Sequence, residues 1–74
     1  MYSIQINSRE ILWHRQTISY YDIVARVKNP AIGALYSVTY SKGLVTDREG
    51  ILLPGSEVHV KDGMIFNAYI TDNA

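Results

Sequence analysis

The sequence predicts an α+β fold in which a mixed sheet of four to five strands wraps around one helix, at about residues 19–28. Three observations carry this expectation. The chain opens with two short alternating runs separated by turn residues. A single stretch with helical spacing follows, bounded by start and stop signals. After it come further strand-like runs, the last of them ending only four residues before Ala74.

The first run, "YSIQI", alternates Tyr2, Ile4 and Ile6 with Ser3 and Gln5, the period of a half-buried strand. Asn7, Ser8, Arg9 and Glu10 supply turn residues, and Ile11-Leu12-Trp13 the return strand, giving a hairpin. The helix begins at Ser19, a good N-cap, with Asp22 placed to close a capping box and to favour the positive end of the dipole. Ile18 and Ile23 occupy the two positions of a hydrophobic staple, and Tyr20, Ile23, Val24 and Val27 form one apolar stripe. Lys28 falls in the expected last turn and Asn29-Pro30 stops the helix. Its β-branched residues lower local propensity, so this helix needs its sheet.

"ALYSVTYS" alternates again, with Tyr36, Val38 and Tyr40 on one face and Leu35, Ser37 and Thr39 on the other. "KGLVTDREG" is a polar loop, "ILLPGSEVHV" holds a short apolar piece and a Pro54-Gly55 turn, and "KDG" is a second turn. "MIFNAYIT" is the last strand, with Met64, Phe66, Ala68 and Ile70 expected to face the core. A helix that follows a hairpin has one sheet face to cover. The first strand is therefore expected inside the sheet, with the last strand parallel beside it, which is the β-grasp arrangement. Residues 1–70 make the domain and residues 71–74 a tail.

Composition narrows function. Seventy-four residues sit near the lower limit for one unstapled core. The absence of cysteine excludes disulfides, thiolate zinc sites and a cysteine nucleophile, and fits a reducing cytoplasm. Seven basic residues balance seven acidic ones, which argues against nucleic acid as a partner. No apolar run is long enough to span a membrane, and the N-terminus has no signal pattern. A soluble, cytoplasmic protein is expected. Zero net charge also weakens self-repulsion, so self-association is open to it. His14 and His59 lack partners for a metal or catalytic role, and nothing brings Ser, His and Asp together, so the chain is not expected to be an enzyme.

The order, lengths and size of these elements resemble ubiquitin and its relatives. "LYSVTYSKG" and "LLPGSEVHVKDGMIFNAYITD" are more narrowly similar to a group of small bacterial ubiquitin-like proteins related to the multiubiquitin family. The most specific piece is V-x-V-x-D-G-M-x-F, here Val58, Val60, Asp62, Gly63, Met64 and Phe66. This piece also echoes the ending of the sulfur-carrier β-grasp proteins. The general resemblance spans almost the whole chain, the closer one about its second half.

The resemblance implies a protein modifier whose C-terminal tail is processed, activated, or both, for joining to target proteins by isopeptide chemistry. The implied partners are an adenylating activating enzyme, a conjugating enzyme, a deconjugating or processing peptidase, and the targets. No cofactor is implied for the chain itself, since ATP would be held by the activating enzyme. Asp72, Asn73 and Ala74 would be the conjugation tail. The chain departs from the family pattern here, because it contains no Gly-Gly. Either the activating enzyme accepts a bulkier residue, or a peptidase first removes Ala74 to expose Asn73. Leu35, Ser37 and Thr39 with Ile65, Asn67 and Tyr69 would form a partly apolar docking face on the open side of the sheet, which ubiquitin-like proteins use for partners. The competing reading is a non-conjugated β-grasp module for interaction or self-assembly. A sulfur carrier comes third, weakened by the missing Gly-Gly.

Overall fold

The computed structural model describes residues 1–27 and 35–71 of the chain. Strand β1 (Tyr2–Ile6) turns through Asn7 and Ser8 into β2 (Arg9–Trp13). Both turn residues have positive φ, 51° and 69°, the geometry of a two-residue type I′ hairpin whose twist matches the strands. Two residues suffice, so Arg9 and Glu10, expected in the turn, are paired in β2 against Ile6 and Gln5.

The chain then forms β3 (Thr17–Ser19), a short strand that the sequence does not announce. It pairs antiparallel with β6 (Glu57–His59), placing Ile18 opposite Val58, and both side chains are buried. Helix α1 (Tyr20–Val24) follows directly. The expected capping box is formed: Asp22 N donates to Ser19 Oγ at 3.1 Å and Ser19 N donates to Asp22 Oδ2 at 3.0 Å. The helix is shorter than expected. Past the i to i−4 bond from Ala25 N to Tyr21 O, the chain tightens to i−3 bonds from Arg26 N to Ile23 O and from Val27 N to Val24 O. The β-branched Ile23 and Val24 extend a helix poorly, and the apolar stripe is satisfied within two turns. Lys28 and the Asn29-Pro30 stop lie outside the described residues.

Strand β4 (Tyr36–Ser41), β5 (Gly50–Leu52) and β7 (Ile65–Ile70) complete a five-stranded sheet ordered β2-β1-β7-β4-β5. The first strand is internal, as expected. The last strand lies in the middle, parallel to β1 through Gln5–Ile65 and Ile6–Phe66, and antiparallel to β4 over six pairs. Gly55 and Gly63 have φ of 85° and 89°, which the Pro54-Gly55 and Asp62-Gly63 turns require. This is the predicted α+β fold, a mixed sheet with one short helix against its inner face.

The core is closed by Ile4, Ile6, Ile18, Ile23, Val38, Met64 and Phe66, all essentially without solvent contact. Trp13, Tyr20, Tyr36, Leu52, Val58, Val60 and Ala68 join them. The core-facing set is thus Met64, just before β7, with Phe66 and Ala68 on it. Ile70, expected with them, is 56% exposed. It pairs with Tyr36 at the end of the sheet, and beyond that pair no element covers its side of the strand among the described residues.

Candidate functional site

The end of β7 is the point from which any tail must leave, and it is held from both sides. Strand β1 stops at Ile6, yet its ladder continues through a side chain. Asn7 Nδ2 donates to Ala68 O at 3.0 Å, and Ala68 N donates to Asn7 Oδ1 at 2.8 Å. The amide thereby makes the pair of bonds that a further strand residue would make. On the other side β4 runs alongside to the end, and Thr71 N donates to Leu35 O at 2.8 Å. Past the end of β5, the Tyr20 hydroxyl takes over the outer side of β4. It donates to Tyr36 O at 3.1 Å and accepts from Tyr36 N at 2.9 Å. The sequence stripe assigns Tyr20 to the core. Its hydroxyl contact to β4 needs the tertiary fold, because sixteen residues separate the two partners.

Residues 72–74, the expected tail, lie outside the described residues; Thr71 is exposed where the described chain ends. Of the expected docking residues, all six are described. Ser37 pairs with Tyr69, Thr39 with Asn67, and Ile65 with Ser41, so five of the six share the open face on two adjacent strands. Leu35, bonded to Thr71, extends that row just before β4. Tyr69 is 63% exposed and Leu35 56% exposed, whereas Thr39, Ile65 and Asn67 are half-buried.

Two apolar residues belong to this face that strand alternation alone did not single out. Ile51 pairs with Thr39 and is 67% exposed, and Leu53 continues the alternation of β5 onto the same side. The row Ile51–Thr39–Asn67 thus crosses three strands, apolar at its β5 end, with Tyr69 and Ile65 flanking Asn67 along β7. A signal was present, since "ILL" between a polar loop and Pro54 reads as a strand. Which face Ile51 takes depends on the register with β4, and pairing decides that.

The electrostatics of this region are mild. Tyr40 donates to Asp47 Oδ1 at 2.7 Å, and that hydrogen bond, with burial and the carboxylate charge, raises the phenol above its ordinary pKa. His14 and His59 are both exposed, and among the described residues no three His, Cys, Asp or Glu side chains cluster to hold a metal ion. No described helix is long and apolar enough to cross a membrane.

A five-stranded mixed sheet with parallel first and last strands, one capped helix inside among the described residues and a held exit strand defines a ubiquitin-like β-grasp domain. The particular family follows from the sequence: the pattern of the multiubiquitin family matches residues 2–72, nearly the whole chain, and the chain belongs to that family. No significant match is found among the curated proteins or among the solved structures.

Proposed function

We propose that this ubiquitin-like domain is a protein modifier. The segment after Thr71 is processed, activated, or both, and is then joined to target proteins by partner enzymes. The observation that carries the reading is the anchored exit of β7. Asn7 on one side and Leu35 on the other fix the strand within a few residues of its end, so a short extension leaves in one direction. An enzyme that engages the first residues after Thr71, at about 3.3–3.6 Å per extended residue, works close enough to the domain to dock on it as well. The open face with Tyr69, Ile51 and Leu35 is adjacent to that exit and supplies the docking surface. The chemistry resides in the partners. An activating enzyme adenylates the carboxylate, and a nucleophile on an enzyme or target displaces the nucleotide.

The experiment is intact mass from native cells that express the neighbouring genes, with and without deletion of residues 72–74. Higher-mass adducts that vanish with the deletion, or a loss equal to Ala74, support the modifier. Only the unmodified chain under those conditions overturns it.

A second reading, a non-conjugated interaction module, is favoured by the exposed Leu35, Ile51, Leu53 and Tyr69 on the same open face. It predicts that Tyr69→Lys abolishes partner capture, whereas deletion of residues 72–74 leaves it intact.

A further inference from the structure

At the end of the sheet opposite the tail exit, an open cleft of about 750 Å³ lies between the loop after β4 and the turn that leads into β7. Small-molecule sites span roughly 300–1,000 Å³, so its size is adequate for one. Three cations line it, Lys42 and Arg48 from the loop and Lys61 from the turn, together with two carboxylates, Glu49 and Asp62.

These charges differ from those elsewhere on the molecule. Arg15 and Arg26 stack on the Trp13 ring, Arg15 pairs with Asp22, and Arg9 donates to the backbone oxygen of Arg26. By contrast, Lys42, Arg48 and Lys61 make no ion pair or side-chain hydrogen bond among the described residues, although two carboxylates share their cleft. Asp62 is turned aside, its Oδ1 accepting from Ser3 N at 2.6 Å, which leaves Oδ2 uncommitted. The Glu49 carboxylate is likewise unpaired among the described residues.

The walls of the cleft are preformed. Gly43 N donates to Arg48 O at 2.8 Å, and the Tyr40 hydroxyl donates to Asp47 Oδ1 at 2.7 Å, which ties the loop back onto β4. On the other wall Gly63 N donates to Ser3 O at 2.7 Å, and Met64 N to Lys61 O at 3.0 Å. A Cβ at Gly43 would lie 2.5 Å from Asp47 O, so the loop closes too tightly there for a side chain. Lys42, just before it, has φ 59°. That left-handed backbone is costly for lysine and free for glycine, yet a lysine that lines the cleft occupies it. Strain of this kind gathers at ligand sites.

We propose that this cleft binds a magnesium-complexed oligophosphate, a group of two or three linked phosphates. Lys42, Arg48 and Lys61 meet the phosphate oxygens. Glu49 and the uncommitted Asp62 oxygen meet the magnesium ion, whose other positions go to phosphate and water. Two carboxylates fall short of a metal site by themselves, and the phosphate oxygens complete it. Such a ligand gives every charge in the lining an opposite partner. A metal-free anion would face the two carboxylates, and a bare cation the three basic groups. The cleft is separate from the open face and does not depend on whether the tail is conjugated.

The test titrates the isotope-labelled full chain with inorganic tripolyphosphate, with and without Mg²⁺, and with Mg-ATP. Tripolyphosphate with Mg²⁺ shifts the amides of Ser41, Lys42, Gly43, Lys61, Asp62 and Gly63, and its affinity falls as salt is raised. Mg-ATP binding more tightly than Mg-tripolyphosphate assigns the phosphates to a nucleotide, and weaker binding to an inorganic source. Lys42→Gly relieves the backbone, so thermal stability is no lower while Mg-tripolyphosphate binds about tenfold more weakly, the equivalent of one charge-assisted hydrogen bond. Glu49→Gln removes the gain from Mg²⁺ and strengthens metal-free binding, because a repelling charge is gone. Unshifted cleft amides, an affinity indifferent to Mg²⁺, or equal shifts around Arg9, Arg15 and Arg26 would overturn the proposal, the last as general attraction of anions to basic surface.

Discussion

Asn7 holds a left-handed backbone, φ 51°, while its side chain closes two bonds to Ala68. Asparagine suits both tasks, because it tolerates that region and carries a donor and an acceptor. Asn7→Ala loses the bonds and keeps the unfavourable φ, and is expected to cost about 2–4 kcal/mol. Asn7→Gly loses the bonds but relieves the backbone, and recovers about 1 kcal/mol of that. Denaturant midpoints of the two variants separate the contributions. Asp22 gives a pH signature. Partial burial raises its pKa, but hydrogen bonds from the Ser19 backbone and side chain and from Arg15, with the Arg15 charge, outweigh it and leave the carboxyl below its ordinary value. A folded-state pKa below the unfolded one contributes stability that is present above the unfolded value, about 3.9. That contribution is lost as pH falls from there through the lowered folded value. Asp22→Asn should therefore flatten the acid limb of stability against pH below about 4, and leave its shape near neutrality unchanged.

At the scale of elements, the helix shows how strongly a short segment depends on its ends. Five residues cannot sustain a helix alone, so the capping box and the packing of Tyr20 and Ile23 decide whether it forms. Ser19→Ala is expected to destabilise the protein by about 0.5–2 kcal/mol, read by urea unfolding with an unchanged m value. Hairpin, capping box and last strand were legible because their signals are local: a period of two, a Ser-x-x-Asp spacing, a turn pair. Strand β3 was not. Thr17–Ser19 is extended because Glu57–His59 lies beside it, and nothing within three residues encodes a partner some forty positions away. Ile18, read as a staple residue, is also the cross-strand neighbour of Val58, and both are buried. The same reason hid Ile51, whose face is fixed by its pairing with Thr39, and misplaced Ile70, whose burial ended where the sheet did.

For the molecule as a whole, a chain of this length buries only about 60% of the surface it exposes when unfolded, so each large core side chain matters. Phe66 sits on the central strand without solvent contact, beside the half-buried Tyr40 ring. Phe66→Ala should cost about 3–5 kcal/mol, set against a total of about 5–15 kcal/mol. Lost amide dispersion or a midpoint near zero denaturant at 25 °C is the expected result. Tyr69, on the same strand but two-thirds exposed, should behave in the opposite way. Tyr69→Lys is expected to leave stability within about 0.5 kcal/mol and to abolish capture of any partner that uses the open face. Thermal unfolding and pull-down of the two variants distinguish a core position from a docking position three residues away.

The amino-acid sequence by itself determined the class of fold, the hairpin, the helix start, the core-facing alternation of β7 as far as Ala68, and the kinship with multiubiquitin. Each depends on spacing within a few residues or on a pattern read along the chain. Only the tertiary structure decided how the end of β7 is held, which apolar residues share the open face, and that Arg15 and Arg26 converge on the Trp13 ring. Those arrangements come from registers between segments distant in the chain, and a register is fixed by the simultaneous packing of both faces of the sheet rather than by any one segment.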